Sequence, residues 1–78
     1  MPFIDVKIIE GVLPDDKKAA LIAAITDAVA KVGGEGLRPM TRCVIQEIRS
    51  GWWGAGGRAL TTADATPQPA APTEARTA

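Results

Sequence analysis

Between two β-rich segments this chain has room for one long helix, and that arrangement limits the fold more than any other feature. Leu21, Ile22, Ile25, Ala28, Val29 and Val32 recur at helical spacing, with Lys17, Lys18, Asp27 and Lys31 on the other side. The segment therefore reads as an amphipathic helix with one buried stripe. Pro14 suits its first turn, and Asp15 and Asp16 put negative charge where the helix dipole favours it, although Leu13 is a poor N-cap. Gly33 and Gly34 close it, because glycine readily takes the left-handed conformation found at helix ends. Glu35 to Met40 follows as a loop in which Pro39 forbids helix continuation.

Ahead of the helix, Ile4, Val6 and Ile8 alternate with Asp5 and Lys7, which predicts a strand over Phe3 to Ile9. Pro2 fits the first strand position, where a missing N–H is tolerated. Thr41 to Ile48 reads as a second strand, β-rich at Val44, Ile45 and Ile48, with Cys43 buried. Strand, helix and strand in succession predict a right-handed β-α-β unit with parallel strands, which begin at the same end of the sheet and so set Arg42 near Pro2. Ser50 to Gly57, SGWWGAGG, has the glycine density of a hairpin turn and carries both tryptophans. No helix follows it and the G-x-G-x-x-G spacing is not met, so a phosphate loop is the weaker reading. The expected fold class is α/β (α+β), a single β-α-β unit with a C-terminal hairpin over residues 1–60. Residues 61–78, rich in Ala, Pro and Thr and without periodicity, are expected to form a disordered tail.

A single helix covers one face of a two-stranded parallel sheet, whereas parallel sheets are normally covered on both. About 60 residues is also near the size at which a lone core is marginal. The bare face must find a partner, so the chain is expected to be an obligate oligomer in which sheets pack together or extend across subunits.

Composition narrows the partners and the chemistry. With 9 basic and 9 acidic residues the 78-residue chain has zero net charge, which gives no bulk electrostatic reason to bind nucleic acid or an anionic membrane. No apolar run approaches the roughly 20 residues that span a bilayer, and the amino terminus lacks the layout of a secretion signal. A cytoplasmic location is the expectation, and the single Cys43 leaves no intrachain disulfide to argue otherwise. With no His, one Cys and no Tyr, one copy cannot assemble a Ser-His-Asp or Cys-His constellation, or a thiolate–imidazole zinc site. Acid–base work falls to carboxylates, lysines or the terminal amine.

That amine is the sharpest candidate. Initiator methionine is usually trimmed ahead of a small residue, so the mature protein is expected to begin at Pro2, a free secondary amine at the mouth of an apolar strand. An α-amino group ordinarily titrates at about 7.7–8.0. A prolyl amine starts more basic, and burial beside apolar groups or a cation lowers it toward the range of a general base. The plainer alternative is that Pro2 only permits methionine removal and blunts a strand edge. Arg42 has two readings as well: a bidentate carboxylate holder that polarises an adjacent carbonyl, or a surface ion pair with Glu10 or Glu47. Trp52 and Trp53 either wall off an apolar site or bury interface area. Cys43 lacks an activating partner and reads as a small core residue.

Taken in order, Pro2, a strand ending in IIEG, the DDKKAALIAAITDAV helix, the TRCVIQEI strand and the GWWGAGG hairpin resemble the 4-oxalocrotonate tautomerase family over about Pro2 to Gly57. The resemblance implies subunits whose dimers form four-stranded sheets, commonly assembled as a hexamer. It implies proton transfer in 2-hydroxydienoates such as 2-hydroxymuconate, with Pro2 taking the enol proton and returning one to carbon. Arg42 matches the arginine that binds the 2-hydroxy/carboxylate end from a neighbouring subunit, and Trp53 matches an aromatic position that keeps the site apolar. No metal or organic cofactor is implied, because a carbonyl conjugated to a carboxylate stabilises the intermediate when hydrogen-bonded.

One departure bears on substrate. The family's other arginine follows the strand-end Glu-Gly, and Val12 stands there instead. A dicarboxylate loses its distal anchor, a charged contact contributing about 1.5–3 kcal/mol. Either Arg58, Arg38 or Arg49 substitutes, or the substrate carries one carboxylate and an apolar tail that Val12 and Leu13 would suit. Two rival functions belong beside the tautomerase. Hydratase-type dehalogenation of 3-haloacrylates needs a carboxylate to activate water and paired arginines where Ile9 and Val12 stand, and a non-catalytic subunit of a hetero-oligomer would need no Val12-site arginine at all. The expected partners are a small-molecule carboxylate and further copies of the chain, a homo-hexamer first and a hetero-oligomer second.

Overall fold

A computed structural model of the chain describes residues 1–66. The elements run β1 (Phe3–Ile9), α1 (Asp15–Gly33), a 3₁₀ segment (Glu35–Met40), β2 (Arg42–Ile48), β3 (Trp53–Ala55), β4 (Arg58–Leu60) and the short α2 (Thr62–Ala65). The strands β1 and β2 pair in parallel from Phe3 opposite Arg42 to Ile9 opposite Ile48, with α1 as the crossover. A separate antiparallel hairpin joins β3 and β4, with Trp53 opposite Leu60. The β-α-β unit and hairpin read from the sequence are both present.

Several local expectations are corrected. Pro14 is the N-cap of α1 rather than its first helical residue; its backbone is extended (ψ 159°) and no side chain caps the helix. Its carbonyl nevertheless accepts from the Lys17 and Lys18 amides at 3.0 and 3.1 Å. Glu35–Met40 is a 3₁₀ segment that accommodates Pro39, not an irregular loop. The stripe of α1 is narrower than its periodicity suggests. Leu21, Ile25 and Val29 are half-buried and Ala30 is buried, but Val32 is 88% exposed. Nineteen helical residues reach about 28 Å and seven strand residues about 23 Å, so the last turn of α1 outruns the sheet beneath it. Lys18, expected on the solvent side, is half-buried and bonds Asp15 and Glu47, both at 2.9 Å. Those two carboxylates, Asp15 first, hold its ammonium pKa above the usual value.

The tail expected from Thr61 begins with structure instead. Thr61 and Asp64 form a capping box, with the Thr61 amide donating to Asp64 at 2.8 Å. The α2 turn is tied down from outside: the Thr62 amide donates to Ser50 Oγ at 2.9 Å, and the Thr62 hydroxyl to the Glu10 carbonyl at 2.7 Å. Satisfied backbone groups, not helix length, hold this turn. Residues 67–78 of the expected tail lie outside the described residues.

Gly11 makes the β1–α1 turn at φ +83°, and a Cβ there would sit 3.1 Å from Thr62 Cγ2. Gly11→Ala should therefore destabilise the protein by roughly 1–2 kcal/mol, the cost of a left-handed non-glycine residue. A shifted urea midpoint at fixed protein concentration measures it; an unchanged midpoint would refute the strain.

Two features of the sheet position everything that follows. The core of one copy is small, since only Ile9 and Ala30 are buried among the described residues, while Phe3 is 66% and Trp52 71% exposed. The second feature is the hydrogen-bond parity of β1. The Pro2 carbonyl accepts from Arg42 and the Glu10 amide donates to Ile48, so the even residues between them also face β2. Phe3, Asp5, Lys7 and Ile9 thus direct their N–H and C=O groups to the other edge of β1, which no strand pairs among the described residues.

Candidate active site

The parallel register brings Pro2 and Arg42 together. Arg42 N–H donates to the Pro2 carbonyl at 3.0 Å, so the two residues share the end of the sheet where both strands begin. Pro2 is half-buried and Arg42 exposed. The surface ion pair considered for Arg42 is not formed: Glu10 accepts from the Ser50 amide at 3.0 Å, and Glu47 is engaged by Lys18. The Arg42 guanidinium meets the Pro39 carbonyl at 3.1 Å and no carboxylate among the described residues. Its remaining N–H donors meet no acceptor among the described residues.

Val12 and Trp53 lie at the opposite end. They line an apolar cavity of about 250 Å³ with Ile8, Ile9, Leu60 and Ala65. Six strand steps separate Phe3 from Ile9, so within one copy roughly 20 Å divides the Pro2–Arg42 pair from this cavity. One chain does not bring the four residues together. Leu13, although adjacent to Val12, belongs to a different and polar cavity lined by Glu10, Asp15, Lys18 and Glu47.

The arginines that could replace the one absent at Val12 are now placed. Arg38 is clamped by Glu35 (2.9 Å) and Asp27, which push its pKa up, Glu35 most. Arg58 pairs with Asp64 at 3.0 Å. Asp64 is held below the usual carboxylate range chiefly by the Thr61 amide, then by its hydroxyl. The Arg49 guanidinium carbon lies 5.2 Å from the centre of the Trp52 ring, a cation–π contact that spacing alone gave no means of foreseeing. Cys43 is half-buried within β2.

Comparison with known proteins agrees with this architecture. Residues 2–63 match the family model described as Tautomerase enzyme. Among solved structures, a 4-oxalocrotonate tautomerase homologue (TTHB242) is 30% identical with a TM-score of 0.65, covering 82% of this chain and 95% of its own. An apo unfused 4-OT is 33% identical with a TM-score of 0.66, over 81% of this chain and 97% of that one. A further homologue of 4-oxalocrotonate tautomerase, YwhB, is 27% identical with a TM-score of 0.68 over the same shares. No curated protein matches. The fold is that of 4-oxalocrotonate tautomerase-like proteins, and the chain belongs to the tautomerase family. Among the described residues, no helix is long and apolar enough to cross a membrane.

Proposed function

We propose that the chain is a cofactor-independent keto–enol tautomerase of 2-hydroxydienoates and related enol/2-oxo acids. The observation that carries this reading is the Arg42–Pro2 backbone bond, which sets the start of β2 beside the residue that becomes the amino terminus when Met1 is removed, together with an Arg42 guanidinium that meets no carboxylate among the described residues. The substrate carboxylate and 2-oxygen lie against Arg42. The Pro2 nitrogen, uncharged, takes the enol O–H proton. The electron pair of that bond becomes part of the C=O, the carbon–carbon π pair takes a proton back from the Pro2 ammonium, and base and charge are restored. Arg42 stabilises the negative charge that develops on oxygen meanwhile.

The site is completed by a second copy. The unpaired edge of β1 is free to meet itself about a two-fold axis, antiparallel and centred on Val6. Phe3 of one copy then faces Ile9 of the other, and Asp5 faces Lys7, a complementary pair. This pairing carries Pro2 alongside Glu10 of the second copy, within reach of the Val12–Trp53 cavity that its own chain holds too far away. Further copies, a hexamer in all, cover the face bearing Phe3 and Val44.

Arg42→Ala should lower kcat/KM for an enol acid roughly ten- to hundredfold, the loss of a charge-assisted contact worth about 1.5–3 kcal/mol. Enol decay followed spectrophotometrically on mature protein tests it, with Pro2→Ala alongside. Activity untouched by either change would refute the reading, and chloride release from 3-chloroacrylate in place of enol decay would move the chain to the hydratase class.

A further inference from the structure

None of the described residues that line the Val12–Trp53 pocket is a cation. Val12, Ile8, Ile9, Trp53, Leu60 and Ala65 line an open apolar pocket of about 250 Å³, larger than the roughly 150 Å³ apolar cavity that suffices to hold a benzene ring. The neighbouring arginines have other partners: Arg58, two residues from Leu60, pairs with Asp64 at 3.0 Å, and the Arg49 guanidinium sits over the Trp52 ring, 5.2 Å from its centre. A second carboxylate placed here would be desolvated against apolar groups without a counter-charge, whereas an aryl or branched alkyl group loses only its contact with water.

We infer that the enzyme acts on monocarboxylic enol/2-oxo acids whose third carbon carries an aryl or branched apolar group, with Val12 and Trp53 selecting that tail. This rests on the tautomerase reading above and on the pairing of copies through β1. Val12 discriminates because it lines the cavity, where a guanidinium would pair a distal carboxylate and a valine leaves it bare.

The test compares ketonisation of phenylenolpyruvate and 2-hydroxymuconate by mature protein, Val12→Arg and Arg49→Ala. At least a tenfold preference in kcat/KM for the aryl substrate is expected. Val12→Arg should shift that ratio at least tenfold toward the dicarboxylate, mainly through KM, and Arg49→Ala should leave both rates unchanged. A wild-type preference for 2-hydroxymuconate overturns the inference, as does a selective loss of dicarboxylate turnover in Arg49→Ala, which would make Arg49 the anchor. Quenching of tryptophan fluorescence by phenylpyruvate and by 2-oxoadipate reads the pocket without catalysis. Tighter phenylpyruvate binding supports the tail assignment even where neither enol is turned over, a result that would sink the tautomerase reading alone. Equal or tighter 2-oxoadipate binding overturns the assignment.

Discussion

Protein that retains Met1 should ketonise enol acids 10²- to 10⁴-fold more slowly than protein beginning at Pro2, the usual contribution of a positioned general base. The reason lies in the nitrogen. In the Met1–Pro2 peptide its lone pair is delocalised into the carbonyl and accepts no proton near neutrality, whereas the freed ring nitrogen is a basic secondary amine. Mass spectrometry sorts the two species, and their rates on one substrate give the comparison. The pH profile carries an independent sign. Only the uncharged amine is a base, so kcat/KM should rise with pH through the amine's pKa, and desolvation in an apolar site moves that rise toward neutrality. An amine that NMR titration finds still protonated well above neutrality would leave the proposed shuttle without a base. So would equal rates for the two species.

The β-α-β unit was legible because its signals are local and agree with one another. Alternation over Ile4, Val6 and Ile8, helical spacing over Leu21, Ile25 and Val29, and glycine at 33 and 34 each indicate one state. The proximity of Arg42 to Pro2 followed too, since a parallel crossover sets strand starts side by side. What escaped depended on contacts between distant residues. Periodicity assigned Val32 to the buried stripe, yet the sheet ends before that turn does. Thr62–Ala65 forms a turn because Ser50 and the Glu10 carbonyl satisfy Thr62, partners that lie 12 and 52 residues back along the chain. The arginines were interchangeable in sequence, and only their partners separate Arg38 and Arg58, both engaged by carboxylates, from Arg42. The candidate site could be read only as a set of residues and not as a place, because Val12 and Trp53 sit at the far end of the same sheet from Pro2.

That separation makes the second large effect a property of mixtures. If Pro2 of one copy works against Trp53 of another, Pro2→Ala and Trp53→Leu chains, each nearly inactive alone, should regain activity when denatured together and refolded. A two-fold pair holds two composite sites. In a mixed pair, one site combines the intact Pro2 of the Trp53→Leu chain with the intact Trp53 of the Pro2→Ala chain, and the other carries both defects. Random pairing makes half the pairs mixed and half of their sites whole, so about a quarter of wild-type activity should return. A site assembled within one chain would return none, since no chain in the mixture has both residues. Lys7→Pro supplies the complementary loss. Lys7 directs its N–H to the unpaired edge of β1, so proline there removes a donor from pairing between copies and none from the β1–β2 ladder. Sedimentation should show that variant shifted toward smaller species as its rate falls, with helical circular dichroism retained. Full activity in a sedimenting monomer would refute the composite site, because within one copy the base and the tail pocket stay roughly 20 Å apart.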